Sequence, residues 1–113
     1  MEQSKPFAWP AGRRAAVSLT FDDARPSQVD RGLPVLDAHG VKATFYVSPR
    51  RVEERLAGWR QAVANGHEIG NHTLTHPDMP SQSPGEMVSE LEGMEARVMA
   101  LIGRTTRPWF RPP

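Results

Sequence analysis

Two short segments of this chain hold side chains whose types and spacing could do chemistry together: Asp22-Asp23 and His72-Thr73-Leu74-Thr75-His76. Adjacent carboxylates repel each other, and a divalent cation relieves this by binding one while the second stays near the coordinated water. The two histidines are four residues apart, which predicts both imidazoles on one side of a helical turn. With Asp23, His72 and His76 form a two-histidine, one-carboxylate set, the kind that leaves coordination positions open for water and substrate. Taken singly, each feature has a plainer reading. An Asp-Asp pair after a strand is ordinarily a solvated turn or a helix cap, and a His-x-x-x-His spacing often arises by chance.

The elements around these residues strengthen the chemical reading. Residues 15–21 form a short, largely apolar, β-branched run that predicts a buried parallel strand ending at Asp22 and Asp23. Ser27 is placed to cap a helix over 28–39 that Gly40 would terminate, with Pro34 kinking it or delaying its start. A second strand is expected over 43–47, a helix over 52–65 stopped by Gly66, and a third strand over 68–71 that delivers His72. Residues 77–83 read as a polar, proline-rich loop. Ser83-Pro84-Gly85-Glu86 is a capping-box signature, followed by Met87, Leu91, Met94, Val98 and Leu101 at helical spacing and by Gly103 as terminator. Pro108-Trp109-Phe110 opens a further strand-like segment that delivers Arg111. Strands alternating with crossover-length helices imply a parallel α/β sheet, either open or part of a β/α barrel. Asp22, Asp23, His72 and Arg111 then all fall at strand C-terminal ends, the edge where catalytic groups collect in such folds.

Composition narrows the alternatives. The chain has 113 residues, enough for one domain, and a formal net charge of +1 with scattered basic residues, which gives no reason to invoke nucleic acid or an anionic membrane. With no cysteine, disulfides and thiolate metal sites are excluded, so a metal must sit on carboxylate and imidazole. No run approaches the ~20 apolar residues of a membrane span. The absence of a leader-like segment predicts a cytoplasmic protein, if the N-terminus is complete.

The stretches Val17-Ser18-Leu19-Thr20-Phe21-Asp22-Asp23, Gly66-His67-Glu68-Ile69-Gly70-Asn71-His72-Thr73-Leu74-Thr75-His76 and Phe110-Arg111-Pro112-Pro113 resemble the first three motifs of the polysaccharide deacetylases, carbohydrate esterase family 4 with its NodB-homology domain. Gly40-Val41-Lys42-Ala43-Thr44-Phe45-Tyr46-Val47 is similar to the family's second strand. The resemblance implies an N-terminal extension over 1–14 and a NodB-homology domain over 15–113. Its fold would be a parallel-stranded partial (β/α) barrel, truncated after about four strands. It implies that Asp22 is the general base, that Asp23, His72 and His76 hold a divalent metal, and that Arg111 orients or tunes Asp22. Zn²⁺ is the expected ion, with Co²⁺ as an alternative. The implied substrate is an N- or O-acetylated oligo- or polysaccharide, from which acetate leaves.

Two departures bear on that expectation. Ala24 stands where the family usually has glycine, and the chain ends inside the third motif. The family's oxyanion-holding N–H and general-acid histidine would then lie outside this sequence, and open sheet edges would favour self-association. His39 and His67 read as a surface cap and a structural histidine rather than substitutes for that acid. A catalytically incomplete fragment that binds metal or saccharide, or serves as an interaction module, is a second reading. An amidase acting on a non-sugar substrate with the same fold is a third.

Overall fold

The computed structural model describes residues 5–113; the first four residues of the expected N-terminal extension lie outside them. Three parallel strands, β1 (Thr20–Asp22), β2 (Thr44–Val47) and β3 (Glu68–Asn71), form a sheet in the order β1-β2-β3. The connections are helical: α1 (Leu33–Ala38) follows β1, α2 (Pro49–Glu54) and α3 (Leu56–Ala64) follow β2, and α4 (Pro84–Ile102) follows β3. This is the parallel α/β architecture that the strand–helix alternation implies. Among the described residues no helix is long and apolar enough to cross a membrane.

Register decides which side chains meet. Phe21, Phe45 and Ile69 are partners across the three strands, as are Asp22, Tyr46 and Gly70, and successive residues in a strand point to opposite faces. The first set faces the helices. Phe45 stacks on Phe21 at 5.1 Å between ring centroids and meets Trp59 of α3 edge-on at 5.2 Å. Val47, Val52, Met94 and Val98 close the same core. The second set, with Thr20, faces the other way and carries polar chemistry.

Several elements differ from the sequence-based expectation. β1 starts at Thr20 rather than at residue 15, and it is half-exposed rather than buried. Only its β2 side is paired, and Val17 is 85% exposed, so the apolar residues before it have no layer to pack against. The helix expected over 28–39 is a π-helical turn (Gln28–Gly32) leading into α1. The wider turn accommodates Pro34, which has no N–H for a regular helical bond. Ser27 makes no side-chain cap bond. The helix expected over 52–65 is two helices broken at Arg55 (φ −141°, ψ 47°), whose guanidinium reaches across to Asp30 at 3.0 and 3.1 Å.

The loop over 77–83 contains one 3₁₀ turn, Met79–Ser81. The fourth strand is a single parallel bridge between Asn71 and Phe110, made by Asn71 N–H to Trp109 O and Arg111 N–H to Asn71 O, both at 2.9 Å. Three strands and a bridge thus stand where about four strands are expected.

Candidate metal centre and base

At the end of β1 the chain turns abruptly: Asp23 has φ +77° and Ala24 φ +49°. The second turn that matters follows β3, where Thr73 has φ +71° and His76 φ +57°. Among the described residues these four are the non-glycine positions in the left-handed region, a conformation that costs such residues roughly 1–2 kcal/mol each. The unfavourable backbone is therefore concentrated in the two loops that carry the candidate ligands, as expected where surrounding structure fixes a functional geometry. It also explains why position 24 suits glycine. Ala24 is fully buried there, and its methyl packs in the core.

His72 and His76 do not lie on a helical turn as their spacing predicts. His72 is buried just after β3, His76 is half-exposed at the far end of an irregular loop, and their rings meet edge-on at 5.0 Å. The loop is held from outside. Glu90 of α4 accepts hydrogen bonds from Leu74 N–H (2.8 Å), Thr75 N–H (2.9 Å) and the Thr75 hydroxyl (2.5 Å). Asn71 Oδ1 accepts from Thr73 N–H at 2.8 Å, and the Ser48 hydroxyl donates to Thr73 O at 3.0 Å. Ser48 precedes α2 at the N-cap position without making a side-chain cap bond; its hydroxyl serves this loop instead.

The three groups fit a cation. His72 Nδ1–H donates to the Arg111 carbonyl oxygen at 2.8 Å, which leaves Nε2 as the lone-pair side of a neutral ring. Nε2 of His72 and Nε2 of His76 each lie 3.3 Å from Asp23 Oδ1, a buried oxygen that accepts no hydrogen bond. With both Nε2 atoms unprotonated, two ring lone pairs and a carboxylate oxygen face one another, and a cation between them would satisfy all three. In a tetrahedral site with bonds of about 2.0–2.1 Å, neighbouring ligand atoms stand about 3.3–3.4 Å apart, matching the observed spacing. Among the described residues this is the one cluster of three such groups whose ligand atoms converge.

Asp22 points elsewhere. Its Oδ1 accepts a hydrogen bond from Arg111 Nη1 at 2.8 Å, and the same nitrogen donates to the Thr20 hydroxyl at 3.0 Å. The guanidinium lies 4.3 Å above the Tyr46 ring, a stacking arrangement that fixes its plane. Tyr46 has room to lie flat because its register partner is Gly70. A methyl there would come within 2.6 Å of the Tyr46 ring and 3.1 Å of Trp109 Cβ.

A family model described as "Polysaccharide deacetylase" matches residues 10–113. The chain belongs to that family. It is 43% identical over 77 residues to a chitooligosaccharide deacetylase of Bradyrhizobium sp. (strain ANU 289), covering 67% of this chain and 35% of that protein. It is 28% identical over 102 residues to the peptidoglycan-N-acetylmuramic acid deacetylase PdaA of Bacillus subtilis (strain 168), covering 89% and 39%. A mutant of a Bacillus anthracis pseudoenzyme of family CE4, with restored enzymatic activity, superposes with a TM-score of 0.75 at 38% identity, over 85% of this chain and 35% of that one. The chain spans between about a fifth and two fifths of the length of the curated relatives it matches. The NodB-type fold expected from the motifs is thus the fold of this family's solved members.

Glu90, Asn71, Ser48, Tyr46 and Gly70 are absent from the sequence-based site. Glu90 had a legible signal. It lies three residues after Met87 and four before Met94, so it interrupts the inward stripe of α4 with a carboxylate. Asn71 acts locally, two residues from Thr73, and the rest depend on contacts between distant segments. His67 is a structural histidine, as expected. It is buried at the opposite edge of the sheet, where Nδ1 accepts from Ala43 N–H at 3.2 Å and Nε2–H donates to Asp37 at 2.7 Å.

Proposed function

We propose that this chain carries the metal-holding and base part of a deacetylase site that hydrolyses acetyl groups on carbohydrate. The observation that carries the reading is the division between the two aspartates: Asp23 Oδ1 faces both imidazoles while Asp22 is held aside by Arg111. Asp23, His72 and His76 would hold the cation, Zn²⁺ being the ion best suited to two imidazoles and one carboxylate with open positions. When bound, such an ion lowers the pKa of water from about 15.7 toward about 7 and polarises a carbonyl oxygen.

The chain's own groups do the rest. Asp22 Oδ2, the oxygen that Arg111 leaves unengaged, accepts the proton of the attacking water. Arg111 aims that carboxylate through its hydrogen bond and keeps its own plane on Tyr46. The carbonyl of Arg111 keeps His72 in the tautomer whose Nε2 can ligate. The names of the relatives support acetylated saccharide over a non-sugar amide as the substrate class.

Zinc content and acetate release from N-acetylglucosamine oligomers test the reading, with zinc measured on the chain and on Asp22→Asn and acetate release on the same pair extended through the family's remaining motifs. Asp22→Asn is expected to keep its zinc and lose most turnover. Loss of zinc with that substitution would assign Asp22 to the metal and overturn the division of roles.

A further inference from the structure

Beside Asp23 and His76 lies a cleft of about 490 Å³ whose walls include Ser48, Arg25, Arg50 and Arg51, a volume typical of small-ligand sites. Arg25 comes from the loop after β1, and Arg50 and Arg51 from α2 after β2, so the fold rather than the sequence order brings them together. Their charges are weakly answered. Arg25 lies 3.8 Å from Asp23 Oδ2, whose charge the proposed cation would claim, and Arg51 pairs with Glu54 at 3.3 Å. Arg50 is exposed and makes no hydrogen bond or ion pair among the described residues. Guanidinium groups gathered in one cleft repel one another, and a planar anion relieves that repulsion through paired, charge-assisted hydrogen bonds. A neutral sugar offers nothing that calls for three cations.

We infer that the substrate is an acidic acetylated saccharide, whose carboxylate is bound by Arg50 and Arg51, with Arg25 adding to the field, while its acetyl group lies at the metal centre. The saccharide part of this inference rests on the deacetylase reading above; the carboxylate part rests on the arginines.

The test is calorimetric titration of the zinc-loaded chain with one acetylated oligosaccharide in two forms, the free acid and its neutral amide. Lactyl-ether and hexuronic carboxylates are run as separate arms to locate the acid. At low salt the acid is expected to bind about 5- to 20-fold more tightly than the amide, and this ratio should shrink as salt rises. In Arg50→Ala/Arg51→Ala the ratio is expected to fall toward one. Both side chains are exposed, and far-UV circular dichroism checks the variant's fold; if it does not fold, the native chain's ratio and its salt dependence decide. Equal binding of acid and amide, no binding of either, or a ratio unmoved in the folded variant would overturn the inference. Acetate release is scored separately, on the chain extended through the family's remaining motifs: an acid preference without acetate release from any arm would refute the hydrolysis and leave carboxylate recognition standing.

Discussion

Glu90 offers the sharpest test of how the ligand loop is held. Its Oε2 accepts both Leu74 N–H and Thr75 N–H, and its Oε1 accepts the Thr75 hydroxyl. Glu90→Ala strips three partners at once. Water can replace the acceptor at exposed Thr75, whereas the bond to Leu74 N–H is partly buried. Losing an acceptor there costs about 1–3 kcal/mol, and the charged character of the lost bonds puts the total near 2–3 kcal/mol. Because His76 hangs from the far end of this loop, that loss should appear as weaker zinc binding. At about 1.4 kcal/mol per decade it corresponds to a fall of about 30- to 150-fold. Glu90→Gln keeps one acceptor oxygen for the two N–H groups, and its amide N–H can donate to a reoriented Thr75 hydroxyl, so an intermediate fall is expected. Competition against a chromophoric chelator gives the zinc affinity, and urea melts of the metal-free proteins give the fold's stability. Wild-type zinc affinity in a folded Glu90→Ala protein would refute the reasoning and reduce Glu90 to a staple between helix and loop.

Further outcomes follow from the same geometry. Gly70→Ala should destabilise the fold by about 1–3 kcal/mol, because the new methyl overpacks against Tyr46 and Trp109; a urea melt unchanged within error would contradict the packing. Arg111→Ala should lower turnover far more than zinc content, since the His72 contact uses its carbonyl; parallel loss of both would mean that the side chain also builds the metal site. The His67 hydrogen bond, aided by that of Asn65 and opposed by partial burial, holds the Asp37 carboxyl below the usual carboxylate range. A depressed folded pKa gives stability that is present above the unfolded value of about 3.9 and is lost as pH falls through the folded one. Asp37→Asn should therefore flatten the acid limb of stability below about pH 4, seen by denaturant melts at stepped pH. The outer edge of β1 is unpaired among the described residues and is a template for another chain; light scattering should show concentration-dependent association, and a monomer throughout would oppose it.

What was legible in the sequence is what local chemistry decides. The capping box at Ser83 and Glu86 is present, and Gly40, Gly66 and Gly103 are left-handed at the ends of their helices. β3 spans the expected residues, and β2 lies within them, because short apolar runs bounded by turn residues have few alternatives. The candidate ligands were legible from type and order, but not the way they meet. A helical turn was the local solution for His72 and His76. The observed loop depends instead on Asn71 next to it and on the distant Glu90 and Ser48, which the histidine spacing alone does not announce. The break at Arg55 likewise depends on Asp30, 25 residues earlier, and no local pattern announces it. β1 was overextended because an apolar run does not reveal whether anything will cover it.

Arg111 meets the two halves of the site with two different parts of itself: its carbonyl fixes His72, and its guanidinium aims Asp22. Most codon changes at that position would delete the second contact and leave the first, since every residue has a carbonyl. On the proposed reading, ion retention and turnover are thus separable heritable traits. A lineage released from selection for hydrolysis can lose the reaction in one step while its metal shell persists. In such descendants a bound ion records ancestry, not present activity.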